Sequence, residues 1–224
     1  MTRTVSFSGY LALWVFAIAL SLIEAAVVIY LRALAGNVLF PLHDVLKALG
    51  TQVNSLEGFR EVATLVVLLM PVYLLQVSLL PRVAAYALAF AVWDLGYYGF
   101  LRLFLKWPGS LMTYDVLFLI PKPWVAPVLC PVAVAATVVL GSTCYLYLAR
   151  NRAVRNPSLL QTIALLIGAG IMVLSFMWES DYYLRGGLPP RFAWWLFLPG
   201  YAMALLGGAQ LLYQFARQDK ARFF

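Results

Sequence analysis

Four carboxylates stand where carboxylates are expensive. Glu24 lies beyond the middle of one apolar stretch, Asp94 near the middle of another, Glu61 opens a third, and Asp115 sits in a short apolar segment between two longer ones. A charge at the centre of a bilayer costs roughly 2.5–3.5 kcal/mol on insertion scales, so an acid kept there marks a site or has a partner. Arginines travel with these acids. Arg32 follows Glu24 by eight residues, Arg102 follows Asp94 by eight, and Arg60 adjoins Glu61. Eight helical residues turn through about 800° and rise ~12 Å, which leaves an acid and its following arginine about 80° out of line. Pairing across helices, Glu24 or Asp94 with Arg60, is the easier geometry. Glu24, Glu61, Asp94, Asp115, Arg32, Arg60 and Arg102 are therefore the candidate residues for binding an ion, a proton or a substrate. Arginine–carboxylate pairs that merely hold helices together are the alternative.

Other chemistry is sparsely represented. His43 is the sole histidine, which excludes a bis-histidine haem within the chain and argues against a His-rich copper or zinc site. Cys130 and Cys144 fall fourteen residues apart in one apolar segment. That spacing is ~21 Å of helix, too far for a disulfide. No CxxC pair, phosphate-binding glycine loop, HExxH string or nucleophile elbow occurs, so neither a cofactor nor a metal is indicated. Without a usable histidine, any general base has to be a carboxylate. Trp93, Tyr97, Tyr98 and Tyr114 can line a site or simply pack. Trp178, Tyr182, Tyr183, Trp194 and Trp195 have the placement of an interfacial belt, and Arg185 with Gly186 and Gly187 reads as a turn.

The elements that must position the acids are membrane-spanning. Of 224 residues, 64% are hydrophobic and 11% charged, and the mean hydropathy is +0.88. A soluble domain carries about a quarter charged residues. The length accommodates about six helices of ~20 residues, and the expectation is an all-α polytopic bundle forming a single integral-membrane domain over 1–224. Spans are expected over about 10–34, 58–80, 82–105, 124–149, 158–178 and 192–215. The first is too long for a signal peptide's apolar core. The net charge of +7 is spread in small groups at helix ends, which argues for membrane anchoring and against nucleic acid. Basic residues divide evenly between the two sides. The compact Arg150, Arg152, Arg155 loop and the Arg217 to Arg222 tail favour cytoplasmic N- and C-termini.

Two connections carry further signals. Leu42, Val45, Leu46 and Leu49 follow helical spacing opposite His43, Asp44 and Lys47, the pattern of a short interfacial helix, and Asn54 with Glu57 suggests a capped start for the second span. Residues 110–120, between WPG and PKPW, are too few to cross a ~30 Å core and read as a re-entrant or interfacial segment. Pro127, Pro131 and Pro199-Gly200 are candidate kinks, and Ala204 with Gly208 is a small-xxx-small pair. IEAAVVIYLRAL (23–34) and WDLGYYGFLRLF (93–104) share a weak echo compatible with a parallel repeat.

The strings REVATLV (60–66), VWDLGYYGFLRLFLKWPGSLMTYDVLFLIPKPWVAPV (92–128) and LRGGLPPRFAWWLF (184–197) resemble an uncharacterised family of bacterial multi-pass inner-membrane proteins. Tyr114 stands where that family usually has Trp. The resemblance covers about half of the chain and implies an all-helical protein of the bacterial inner membrane, with no activity, substrate or cofactor attached.

Three functions fit. The first is a small ion- or proton-coupled transporter using the acids of the outer half. The second is a non-catalytic subunit or assembly factor of a larger membrane complex, and the third a lipid-acting intramembrane enzyme. Partners are the lipid bilayer and, beyond it, other membrane proteins or a second copy of the chain. The sharpest structural expectation is that Glu24, Glu61, Asp94 and Asp115, with one or more of the three arginines, share one polar cavity in the outer half of the bundle.

Overall fold

A computed structural model describes residues 4–34, 51–150, 157–185, 187 and 189–217. The expected interfacial helix at 42–49, with His43, Asp44 and Lys47, lies outside the described residues, as do Arg3, Arg152, Arg155, Gly186 and the tail beyond 217.

The elements run α1 (Phe7–Leu34), α2 (Thr51–Leu74), α3 (Leu79–Leu105), β1 (Tyr114–Phe118), β2 (Trp124–Pro127), α4 (Leu129–Ala149), α5 (Leu159–Met177), α6 (Ser180–Leu184) and α7 (Trp194–Arg217). Among the described residues, five helical stretches are long and apolar enough to cross a membrane: α1, α3, α4, α5 continued by α6, and α7. The sixth expected span, α2, differs for a definite reason. Any stretch of it long enough to span includes Glu57, Arg60 and Glu61. It also begins at Thr51, upstream of the expected cap at Asn54.

Helix ends follow local chemistry. Ser158 accepts from the Gln161 N–H at 3.3 Å, and Gln161 Oε1 accepts from the Ser158 N–H at 2.8 Å, a reciprocal cap that starts α5. Lys106 ends α3 in the left-handed region at φ 58°, with its N–H on the Arg102 carbonyl. Between α2 and α3 the chain breaks over 75–78, and Arg82 donates to the Leu75 and Val77 carbonyls to close that turn.

The short segment expected to be re-entrant or interfacial forms the first strand of a β-hairpin, a small departure from an all-α bundle. β1 and β2 pair antiparallel, with Asp115 opposite Ala126 and Val116 opposite Val125, and an irregularity between Val116 and Phe118. Pro121 and Pro123 hold the residues before them in extended conformations, which disfavours a helix through the turn. Pairing the two strands satisfies the backbone polar groups on their facing edges. The expected fourth span is correspondingly shorter, and its prolines are not kinks. Pro127 ends β2, and Pro131 lies in the first turn of α4, where its missing N–H has no intrahelical partner to lose.

α3 is the spine of one half, packed between α1 and α4, with α2 resting on it; α5 and α7 pair closely, and α7 leans on α4. The main core joins Leu13 and Ala17 of α1, Leu68 and Val72 of α2, Leu88 and Val92 of α3, and Phe215 of α7. Along the α5–α7 seam the backbones nearly touch. A Cβ at Gly168 would stand 2.7 Å from the Gly200 carbonyl oxygen and 2.8 Å from the Ala204 nitrogen. Outward faces are apolar, with Leu11 and Val15 on α1, Phe59 and Val66 on α2, and Leu160 and Leu166 on α5 all exposed. Acyl chains are the natural cover for such faces.

Candidate functional site

α2 carries the site's polar stripe. Glu57, Arg60, Glu61 and Thr64 recur at i, i+3, i+4 and i+7, so they share one face of the helix. The same face continues as Leu68 and Val72 in the core. The first half of α2 therefore presents charge to the position where its second half presents hydrocarbon. Opposite that stripe stand Glu24 of α1, Asp94 of α3 and the β-hairpin.

Between them lies a cavity of about 40 Å³. Glu24, Glu61, Asp94 and Asp115 all line it, together with Arg60, Thr64 and the aromatic walls Trp93, Tyr97 and Tyr98. At ~10–15 Å³ per occupant it has room for about three waters. Among the described residues, four carboxylates there face one guanidinium.

The carboxylates differ in how they are held. Arg60 donates to Glu24 through Nη1, and to Glu57 Oε2 through Nε at 2.9 Å and Nη2 at 2.7 Å. Thr64 adds a donor to the second Glu24 oxygen at 3.2 Å. Glu61 accepts the Leu119 backbone N–H on both oxygens, at 3.0 and 2.9 Å, and so ties α2 to the end of β1. Asp115 accepts from the Tyr98 hydroxyl at 3.1 Å. Burial pushes the Asp115 carboxyl up to about 6, while Arg32, the Val116 N–H and Tyr98 pull the other way. Asp94 differs from the rest: among the described residues it makes no hydrogen bond or ion pair. Trp93 beside it has a buried indole N–H with no acceptor among the described residues.

Two of the expected arginines are not on the cavity wall. Arg32 is fully buried with its guanidinium 4.3 Å from the centre of the Trp107 ring, and its Nε and Nη1 meet no acceptor among the described residues. It acts on the site through its field on Asp115. Arg102 is exposed and closes the end of α3, donating to the carbonyls of Lys106 and, at 3.0 Å, Pro108. Glu57, Thr64 and the Leu119 N–H enter the site without having been candidates. For Glu57 and Thr64 the signal was present, since both continue the Arg60–Glu61 pair at helical spacing; the Leu119 N–H has no side-chain signature.

Chemically, the arrangement can accept a proton or a small cation at Asp94 while Arg60 holds Glu24 and Glu57 together. Among the described residues no three acids are grouped so as to hold a metal ion. No family model, curated protein or solved structure matches the chain.

Proposed function

We propose that the protein is a small proton- or ion-coupled transporter whose coupling site is the carboxylate cavity, with Asp94 as the group that takes up and releases the proton. The observation that carries this reading is the inequality of the four acids. Glu24, Glu61 and Asp115 each have a donor, whereas Asp94 faces the same cavity with none among the described residues. A purely structural network gains nothing from leaving a half-buried acid with no donor among the described residues, because such a group is expensive to keep at that depth. The cavity's size also favours this function over a lipid-acting enzyme. Pockets for organic ligands run to about 300–1,000 Å³, against about 40 Å³ here.

In this reading α2 is the sixth span. Its 24 residues reach ~36 Å at 1.5 Å each, enough for a ~30 Å core, with its charges turned onto α1, α3 and the hairpin. Six crossings put both termini on one side, the cytoplasmic side of a bacterial inner membrane, and the carboxylate cavity toward the outer side. A C-terminal reporter fusion active only outside the cytoplasm refutes that orientation.

The function is tested in proteoliposomes carrying an internal pH dye. Wild-type protein is expected to dissipate an imposed pH gradient, alone or with Na⁺ or K⁺, and Asp94→Asn to slow it at least about tenfold, the factor equivalent to ~1.4 kcal/mol. Vesicles no faster than protein-free ones under every cation, or Asp94→Asn as fast as wild type, overturn the proposal.

A further inference from the structure

A second concavity lies at the opposite end of the bundle, between the start of α1 and the end of α4. It is a groove of about 130 Å³ whose lining includes Phe7, Tyr10, Thr143, Leu146, Tyr147 and Arg150. Its lining is mostly apolar: Leu146 is buried, and the Tyr10 and Thr143 hydroxyls satisfy each other at 3.1 Å. Phe7 and Tyr147 stand at its sides, 64% and 69% exposed, so the groove opens toward the surroundings of the bundle and not into its core. Arg150, the residue after α4, sits at the mouth, exposed, with no carboxylate partner among the described residues. The sequence adds Arg152 and Arg155 within the next five positions.

A helix C-terminus alone favours a cation there, which accounts for Arg150 but not for an open apolar groove running down from it. At about 130 Å³ the groove is also too small to seat a partner helix, which is about 10 Å across. One class of molecule carries an anion at interface depth with a thin apolar chain beneath it.

We propose that this groove binds an anionic phospholipid of the surrounding leaflet, with its headgroup phosphate on Arg150 and the upper part of one acyl chain against Phe7, Leu146 and Tyr147. Basic pockets between helices at a membrane surface recognise acidic headgroups in this way, each arginine near the surface contributing about 1 kcal/mol. The site is independent of the carboxylate cavity and of whatever that cavity does.

The test uses the full chain, purified and delipidated in a neutral detergent. It is titrated with phosphatidylglycerol or phosphatidylcholine of the same acyl chains, and binding is read by native mass spectrometry and by thermal unfolding. Wild type is expected to bind phosphatidylglycerol preferentially. Arg150→Gln is expected to weaken that binding about five-fold, the equivalent of ~1 kcal/mol, and to leave phosphatidylcholine unchanged. Tyr147→Ala, at an exposed position, weakens both lipids together by removing a wall of the acyl slot. Equal binding of the two lipids, or an Arg150→Gln protein with wild-type preference, overturns the proposal. So does saturation of the same stabilisation by millimolar inorganic phosphate, which identifies a soluble anion as the ligand.

Discussion

Replacing Arg60 by glutamine keeps most of the side chain's length and removes the only cation on the cavity wall among the described residues. Three of its nitrogens are engaged: Nη1 with Glu24, and Nε and Nη2 with Glu57 at 2.9 and 2.7 Å. The side chains of Glu24 and Glu57 are 10% and 4% exposed and that of Arg60 is 21% exposed, so the charges are largely but not wholly out of solvent. Breaking a fully buried ion pair costs about 3–5 kcal/mol. The residual exposure of Arg60 puts the expected loss at the lower end, about 3 kcal/mol. For a chain of this size each kcal/mol moves Tm by about 2–4 °C, so Arg60→Gln is expected to unfold ~6–12 °C below wild type. The assay is thermal unfolding in detergent, followed by intrinsic tryptophan fluorescence. A double-mutant cycle gives the sharper reading. Glu24→Gln in the Arg60→Gln background removes one of the two orphaned charges, so the two losses are expected to fall short of additive by about 1–2 kcal/mol. An Arg60→Gln protein within 2 °C of wild type, or strictly additive losses, refutes the claim that this guanidinium holds the two carboxylates together.

Asp115→Asn is expected to flatten part of the pH dependence of stability. The folded carboxyl is raised from 3.8 to about 6, so the folded state holds the proton more tightly than the unfolded chain. The native protein is therefore most stable below pH ~4 with respect to this group and loses up to about 3 kcal/mol as the pH rises through 6. Asn, which still accepts from Tyr98, escapes that loss, and Tm profiles from pH 4 to 8 should show the variant gaining on wild type only at the upper end; a gain confined to acid pH refutes the sign. Gly168→Ala forces a methyl group into the Gly200 and Ala204 backbone and is expected to cost about 1–3 kcal/mol. Gly170→Ala, with nothing within 4 Å of the added carbon, serves as the control, and equal melting of the two variants refutes the backbone-contact account of the seam.

The acids could be read directly because hydrocarbon makes them conspicuous: Glu24, Glu61, Asp94 and Asp115 are candidates on residue type and depth alone. Their roles could not be read, because azimuth is a tertiary property. Whether Arg60 or Arg32 reaches Glu24 depends on how α1 and α2 are rotated, and neighbours that no single helix contains decide that rotation. Arg102 looked equivalent to Arg32 by spacing, yet one caps a helix end and the other lies against Trp107. The hairpin was half legible. Residues 110–120 were too short to span and needed a surface to rest on, but a strand partner beyond Pro121 and Pro123 is a long-range choice. The period of Glu57, Arg60, Glu61 and Thr64 was fully legible and marks α2 as the helix that turns a charged face inward.

The Glu24–Arg60 contact joins residues 36 positions apart, and ribosomes make chains in one direction. Glu24 therefore emerges before the guanidinium that will neutralise it. At ~5–20 residues per second the delay is about 2–7 s. For that interval α1 holds a carboxyl group in its apolar length with α2 not yet made, which favours retention of α1 beside the insertion machinery. Every described residue lining the cavity falls within 24–118. The charged centre of the molecule is thus completed while α4, α5 and α7 are still to be synthesised, and those later helices join a core whose electrostatic problem has already been solved.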